Sequence, residues 1–108
     1  MMVDYELNEL KREFLDEARE KVEEMQATVD GGQRDGAALD RLAYLAHQLK
    51  GSGGSYGYQQ ISDDATELEK AVESMAGQHD DGPALDEKIR RHVGNLMTEI
   101  ENALKELE

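Results

Sequence analysis

The sequence predicts an all-α protein, an antiparallel up-down four-helix bundle that forms one domain over residues 1–108. Four segments repeat apolar residues at spacings of three and four, which is the period of an amphipathic helix. No segment alternates apolar and polar residues between turns, as a surface strand does. Four apolar stripes joined by short loops are buried most simply by packing the helices together.

The first two predicted helices lie on either side of a glycine pair. The first ends at Gly31-Gly32, because two adjacent glycines strongly disfavour helix. The second begins near Asp35, a good N-cap residue, and runs into a glycine-rich stretch. Their inward stripes are Leu7, Leu10, Phe14, Ala18, Val22, Met25 and Val29, then Leu39, Leu42, Leu45, Ala46 and Leu49.

The last two predicted helices flank the loop GQHDDG. The third spans roughly Gln59 to Ala76, with Gly77 as its C-cap. Pro83 stands where a first-turn proline opens the fourth. Their inward stripes are Ile61, Ala65, Leu68, Val72 and Met75, then Leu85, Ile89, Val93, Leu96, Ile100, Ala103, Leu104 and Leu107.

Composition excludes several classes of function. The net charge is −13, with 25 acidic residues against 12 basic ones, so nucleic acid and anionic membranes are not expected partners. There is no cysteine for a disulfide or a thiolate metal site. The N-terminus lacks the pattern of a signal peptide, and no apolar stretch is long enough to span a bilayer. We therefore expect a monomer in the cytoplasm.

The stretch from His47 to Gly57, HQLKGSGGSYG, interrupts the second helix with four glycines. Each glycine costs a helix about 1 kcal/mol relative to alanine. One interpretation is a flexible linker beside an incidental surface histidine. The apolar phase continues through the glycines to Tyr56, however, which favours a continued helix.

A helical wheel places His47 on the outer face, about 140° from the buried Leu42. Gly53 faces inward, where it allows close helix packing. The outer face is otherwise nearly bare, so another protein's surface can approach the imidazole. Its other members are Ala43, Lys50, Gly51, Gly54 and Tyr58.

This arrangement suits phosphoryl transfer. A neutral imidazole is a good nucleophile near neutral pH. The transferred group spreads negative charge over its oxygens, and the ammonium group of Lys50 can stabilise that charge. Ser52 and Ser55 lie farther from the His47 face and are expected on the helix surface.

The segment AHQLKGSGGSYG resembles the signature of the histidine phosphotransfer (HPt) domain family, H-x-L-K-G followed by a glycine ten residues after the histidine. His47, Leu49, Lys50, Gly51 and Gly57 occupy the positions of this pattern. Farther along, the stretch ATELE at residues 65–69 is similar to the family's A-x-x-L-E. By motif, the resemblance covers about residues 42–72.

The resemblance implies a phosphorelay intermediate. His47 would accept a phosphoryl group from a receiver-domain aspartate and pass it to another receiver, while Lys50 would stabilise the charge. The partner would bring Mg²⁺ and an acidic pocket, so no cofactor is expected on this chain. There is no G-x-x-x-x-G-K-[ST] loop or other nucleotide motif, so the chain is not expected to be a kinase.

Two alternatives remain open at this point. The aromatic residues Tyr56 and Tyr58 also resemble the phosphoacceptor domain of chemotaxis histidine kinases at these positions. In such kinases a separate ATP-binding domain phosphorylates the substrate histidine. The other alternative is a helical adaptor whose histidine is never modified. The expected partners are therefore receiver domains and, in addition, a hybrid or chemotaxis-type histidine kinase.

The remaining candidates concern docking and the other histidines. An apolar rim for a receiver would include Leu39, Tyr44 and Tyr58, although each is equally well explained as a surface or half-buried residue. His79, beside two aspartates, has too few neighbouring ligands for a metal site. His92, in the last helix, is expected to be a solvated surface residue, and the Asp63-Asp64 pair a solvated acidic face.

Overall fold

The protein is a bundle of four helices in the computed structural model, which describes residues 4–77 and 82–108. The helices are α1 (Asp4–Asp30), α2 (Gly36–Ser55), α3 (Gln59–Gly77) and α4 (Gly82–Glu106). Consecutive helices pack against each other, and α4 returns to pack against α1. The bundle measures 50 × 22 × 20 Å, and its described residues include no strand. The predicted all-α bundle is confirmed.

The core is a continuous apolar cluster to which all four helices contribute. Most residues of the predicted stripes contribute to it, but Leu7 is exposed and Leu10 is only half-buried. Leu15 and Ala71, which are absent from the predicted stripes, are buried. Arg12 donates a hydrogen bond to the carbonyl oxygen of Leu107, so the end of α4 lies level with residue 12 of α1. The prediction for Leu7 was wrong because the first turns of α1 extend beyond the helix that would cover them.

Most of the helix ends follow the predicted signals. Asp35 caps α2, since its carboxylate accepts a hydrogen bond of 2.8 Å from the Ala38 amide. Gly32 adopts a positive φ of 73° just after α1. Gly77 does not act as the predicted C-cap, because it is the last residue of α3 and lacks the left-handed conformation such a cap requires.

The glycine-rich stretch is helical and is not a linker. The helix α2 continues through it to Ser55, and a three-residue turn then leads into α3. Gly57 has a φ of 84° in this turn, a conformation that glycine adopts without strain. The turn is fastened to α1 by the ring of Phe14, whose centroid lies 5.0 Å from that of Tyr56 and 6.0 Å from that of Tyr58.

The helices α2 and α3 approach each other closely at Gly53. A Cβ atom at this position would lie 3.2 Å from Ile61 Cγ2 and 3.2 Å from the backbone nitrogen of Ser62. Next to this contact, the Ser62 hydroxyl donates a 2.9 Å hydrogen bond to the carbonyl oxygen of Lys50. The predicted inward role of Gly53 is confirmed, and it sets the spacing of the two helices beside the glycine stretch.

A polar cluster joins α3 to α4 and corrects two predictions. The His92 side chain is only 15% exposed, and its Nδ1 lies 2.7 Å from Asp64 Oδ1. Asn95 donates a longer hydrogen bond of 3.4 Å to the same oxygen. Neither His92 nor Asp64 is a solvated surface residue, because the packing of the two helices covers both side chains.

Glu99 completes this cluster as a protonated carboxyl group. Burial, the hydrogen bond with Asp64 and the negative charges of Asp64 and Asp63 raise the pKa of Glu99 to about 8. Burial works against ionisation of Asp64 as well, but hydrogen bonds from Glu99, His92 and Asn95 outweigh it and lower the pKa of Asp64. At neutral pH Asp64 is therefore ionised, whereas Glu99 largely keeps its proton.

We predict opposite effects of alanine at two neighbouring glycines. Gly53→Ala forces α3 away from α2 and should lower the free energy of unfolding by about 1–3 kcal/mol. Gly51→Ala, with no atom within 4 Å of the new Cβ, should stabilise the helix by up to about 1 kcal/mol. Urea denaturation of both variants measures the difference, and equal effects at the two positions would contradict the packing role of Gly53.

We also predict a pH dependence of stability that arises from Glu99. Its pKa is higher in the folded protein than the ordinary 4.5, so the free energy of unfolding should fall as the pH rises from about 4.5 to about 8. Glu99→Gln still donates to Asp64 but does not ionise, and should flatten this dependence. Denaturation at several pH values tests the prediction, with Glu101→Gln as an exposed control on the same helix. Parallel curves for the wild type and Glu99→Gln would refute it.

Candidate functional site

His47 lies on the outer face of α2 with 67% of its side chain exposed. This is the face on which the helical wheel places it. About two turns farther along, α2 lies close to α3 at Gly53.

The His47 ring is oriented by a carboxylate from α3. Its Nδ1 lies 3.0 Å from Oε2 of Glu69, a side chain that is 16% exposed. A carboxylate only accepts hydrogen bonds, so Nδ1 carries the proton of the neutral ring. In this tautomer Nε2 keeps its lone pair, and it has no hydrogen-bond partner among the residues that the structure describes. The exposed nitrogen is thus the nucleophilic one.

Lys50 shares the same carboxylate. Its Nζ lies 3.7 Å from the other oxygen of Glu69, Oε1, and its side chain is half-exposed. His47 and Lys50 therefore have a common partner that bridges them. An imidazole, an ammonium group and a carboxylate meet at this site, with the carboxylate between the other two groups.

The register of α3 against α2 brings Glu69 to His47. Along α2, His47 precedes Gly53 by six residues, or about 9 Å. Along the antiparallel α3, Glu69 follows Ser62 by seven residues, or about 10.5 Å. Because Gly53 lies against Ser62, these two steps of similar length place the two side chains opposite each other.

The small residues predicted around His47 differ in their surroundings. Gly51 is exposed, and a Cβ added to it would meet nothing within 4 Å. Gly54 is exposed too, although a Cβ there would lie 3.7 Å from the Ser62 hydroxyl. Ala43 is half-buried against the core. The surface beside the imidazole is therefore made of small residues, and it is most open at Gly51.

The predicted aromatic rim is only partly present. Tyr44 is 53% exposed on the outer face of α2, one turn before His47. Tyr58 is not on that face, because α2 ends at Ser55 and the helical wheel does not extend beyond the turn. Leu39 is buried in the core and contributes no exposed rim.

The other two histidines are not equivalent to His47. His92 also pairs with a carboxylate of α3, but its ring is enclosed between helices. His79 lies outside the described residues, as do the two aspartates after it. In the described part of the chain, no group of three or more histidines and carboxylates is placed to hold a metal ion.

The sequence did not predict the role of Glu69. The residue belongs to the ATELE stretch, where it appeared only as a position in a family pattern. Helical periodicity places it off the apolar stripe of α3 but does not specify which neighbouring helix it faces. The contact depends on the register between two helices, which the spacing within one helix does not encode.

A comparison with family models gives one match, the Hpt domain, over residues 9–108. The chain belongs to the Hpt domain family. Hpt domains carry phosphoryl groups in histidine phosphotransfer, as steps of two-component phosphorelays, and interact with receiver domains and kinases. They are phosphocarriers and not enzymes with an ATP site of their own.

No curated protein and no solved structure matched the chain in the corresponding searches. Over residues 4–77 and 82–108, none of the helices combines the length and the apolar character needed to cross a membrane.

We predict that Glu69 determines the tautomer of the His47 ring. Glu69→Ala removes the acceptor and should lower the population of the Nδ1-protonated ring, whereas Glu69→Gln retains an acceptor oxygen and should preserve most of it. The ¹⁵N chemical shifts of the two ring nitrogens report the tautomer directly. Glu67→Ala, an exposed change on the same helix, is the control. An unchanged tautomer in Glu69→Ala would disprove the assignment.

Proposed function

We propose that His47 is the phosphoacceptor, which receives a phosphoryl group from a receiver-domain aspartate and passes it to another receiver. One observation carries this proposal: Glu69 lies at hydrogen-bond distance from Nδ1 of His47, while Nε2 has no hydrogen-bond partner among the described residues. The proposal is supported further by the small residues that surround the ring on its helix face, Ala43, Gly51 and Gly54. A protein surface can come close to such a nitrogen.

In the proposed step, the lone pair of Nε2 attacks the phosphorus of the aspartyl phosphate. The Nε2–P bond forms as the P–O bond to the aspartate breaks, and the carboxylate leaves with the bonding electrons. The proton on Nδ1 stays in place, so the ring becomes positively charged. The carboxylate of Glu69, 3.0 Å from Nδ1, compensates that charge without a proton transfer.

Lys50 stabilises the transferred group in this proposal. The lysine side chain is flexible, and its ammonium group is already next to the imidazole through Glu69. As the phosphoryl group approaches Nε2, Nζ can leave the long 3.7 Å contact and pair with a phosphoryl oxygen. Glu69 then pairs only with the positively charged ring of His47. Its contact with Lys50 belongs to the state before transfer, and its contact with His47 is the one that stabilises the phosphorylated state.

The receiver would supply Mg²⁺ and the acidic pocket around its aspartate, and this chain would need no cofactor of its own. We propose that it acts as a monomer in the cytoplasm. A chemotaxis-type kinase is the alternative donor, and the identity of the donor that labels His47 separates the two functions. A purely structural adaptor would show no labelling at all.

His47→Gln should abolish labelling by a phosphorylated receiver domain. Glutamine has no ring nitrogen to attack phosphorus, and it is polar enough for this exposed position. The measurement is transfer of ³²P from a panel of phosphorylated receivers, with the acid lability of the product as the signature of a phosphohistidine. Rapid labelling that survives in His47→Gln would refute the proposal. Labelling only by a kinase domain with ATP would favour the chemotaxis alternative.

Lys50→Ala should lower the rate of transfer by about 10- to 100-fold, because it removes the charge that stabilises the transferred group. It should leave the fold intact, because the half-exposed side chain makes only a long ion pair with Glu69. Lys70→Ala is the matched control, since Lys70 is an exposed lysine on α3 that pairs with Glu67. Transfer rates and melting temperatures are measured for both variants. A large drop in the melting temperature of Lys50→Ala would mean that this lysine is structural.

A further inference from the structure

Tyr44 is a large apolar side chain left exposed beside His47. Three such side chains are exposed in residues 4–77 and 82–108: Tyr5, Leu7 and Tyr44. The first two are near the start of α1, beyond the end of α4. Tyr44 instead lies midway along α2, on its outer face and three residues before His47.

The ring of Tyr44 is held in place from two sides. The guanidinium carbon of Arg41 lies 5.5 Å from the ring centroid, within the range of a cation–π contact. The hydroxyl oxygen accepts a 2.8 Å hydrogen bond from the side-chain amide of Gln48. Both supports come from α2 itself, one turn before and one turn after the tyrosine.

Arg41 is fixed in turn by α1. Its Nε and Nη2 donate hydrogen bonds of 2.7 and 3.0 Å to the two carboxylate oxygens of Glu24. This bidentate pair has a definite geometry, and the hydrogen bond from Arg41 lowers the pKa of the Glu24 carboxyl group against a small opposing effect of burial. Because the charges of Arg41 and Glu24 cancel, the surroundings of the Tyr44 ring are locally neutral, although the chain has a net charge of −13.

A protein that delivers a phosphoryl group to His47 must also cover Tyr44. Neighbours three apart on a helix have Cβ atoms about 5–6 Å from each other. A standard protein interface buries about 800 Å² on each partner, a patch many times wider than that separation. Ordered aromatic residues near the centre of such a patch often supply much of the binding energy, because little side-chain freedom is lost on association.

We propose that Tyr44, supported by Arg41 and Gln48, is the docking anchor for the receiver domain. The receiver would place an apolar side chain on the face of the ring opposite Arg41, next to its phosphorylated aspartate. The proposal rests on the proposed function of His47 and adds the surface by which the partner is recognised. It assigns Tyr44 a role in association and none in the chemical step.

The test compares transfer from a receiver with a reaction that needs no protein partner. The receiver is the one that labels the wild-type chain fastest in the panel, and the second donor is potassium phosphoramidate. Tyr44→Ala should lower kcat/KM for transfer from the receiver by about tenfold or more, mainly through KM. The rate with phosphoramidate should remain within about twofold of the wild type, because Nε2 and its partners are unchanged.

Three further variants separate the ring from its supports. Tyr44→Phe keeps the ring and should remain within about threefold of the wild type, and Arg41→Gln loosens the ring and should have an intermediate effect. Tyr5→Ala, the matched exposed tyrosine, should have none. If Tyr44→Ala accepts phosphoryl groups from the receiver at the wild-type rate, the anchor is refuted while the function of His47 stands. If no receiver labels the wild-type chain, the proposed function itself fails.

Discussion

The close approach of α3 to α2 at Gly53 is the contact on which the candidate site depends. With no side chain between them, the two backbones meet where the Cβ of any other residue would lie 3.2 Å from Ile61 and Ser62. This contact sets both the spacing and the register of the antiparallel pair. Glu69 then falls opposite His47, and its carboxylate reaches both the imidazole and Lys50. A glycine that is unfavourable within its own helix therefore organises the chemistry two turns away.

The helix α3 supplies a carboxylate to each of two histidines, with different consequences. The pair of His92 and Asp64 is enclosed by α4 and belongs to a buried polar network in which Glu99 holds a proton. The pair of His47 and Glu69 has the same chemistry on an open face, which leaves one ring nitrogen accessible. Burial separates the two histidines, because only the ring of His47 is open to a phosphoryl donor, as its proposed role requires.

The charge of the chain is unevenly distributed over the bundle. The helix α2 contains one carboxylate, Asp40, and two basic residues, Arg41 and Lys50, whereas α1 and α3 are rich in carboxylates. Two of the carboxylates next to α2 are also paired, Glu24 with Arg41 and Glu69 with Lys50 and His47. The helix that carries His47 is therefore the least acidic of the four. A partner with an acidic pocket meets the weakest repulsion on this face.

The sequence by itself determined the four helices, most of their ends, the apolar core and the outward direction of His47, because these follow from the period of one helix and from local capping. It did not determine which helices face each other at a given residue. The contacts of Glu69, His92 and Asp64 arise between helices, the exposure of Leu7 reflects where α4 ends, and Tyr58 left the predicted face because the chain turns at Gly57. Only the tertiary structure decided these features, since register and relative length are properties of the packed bundle.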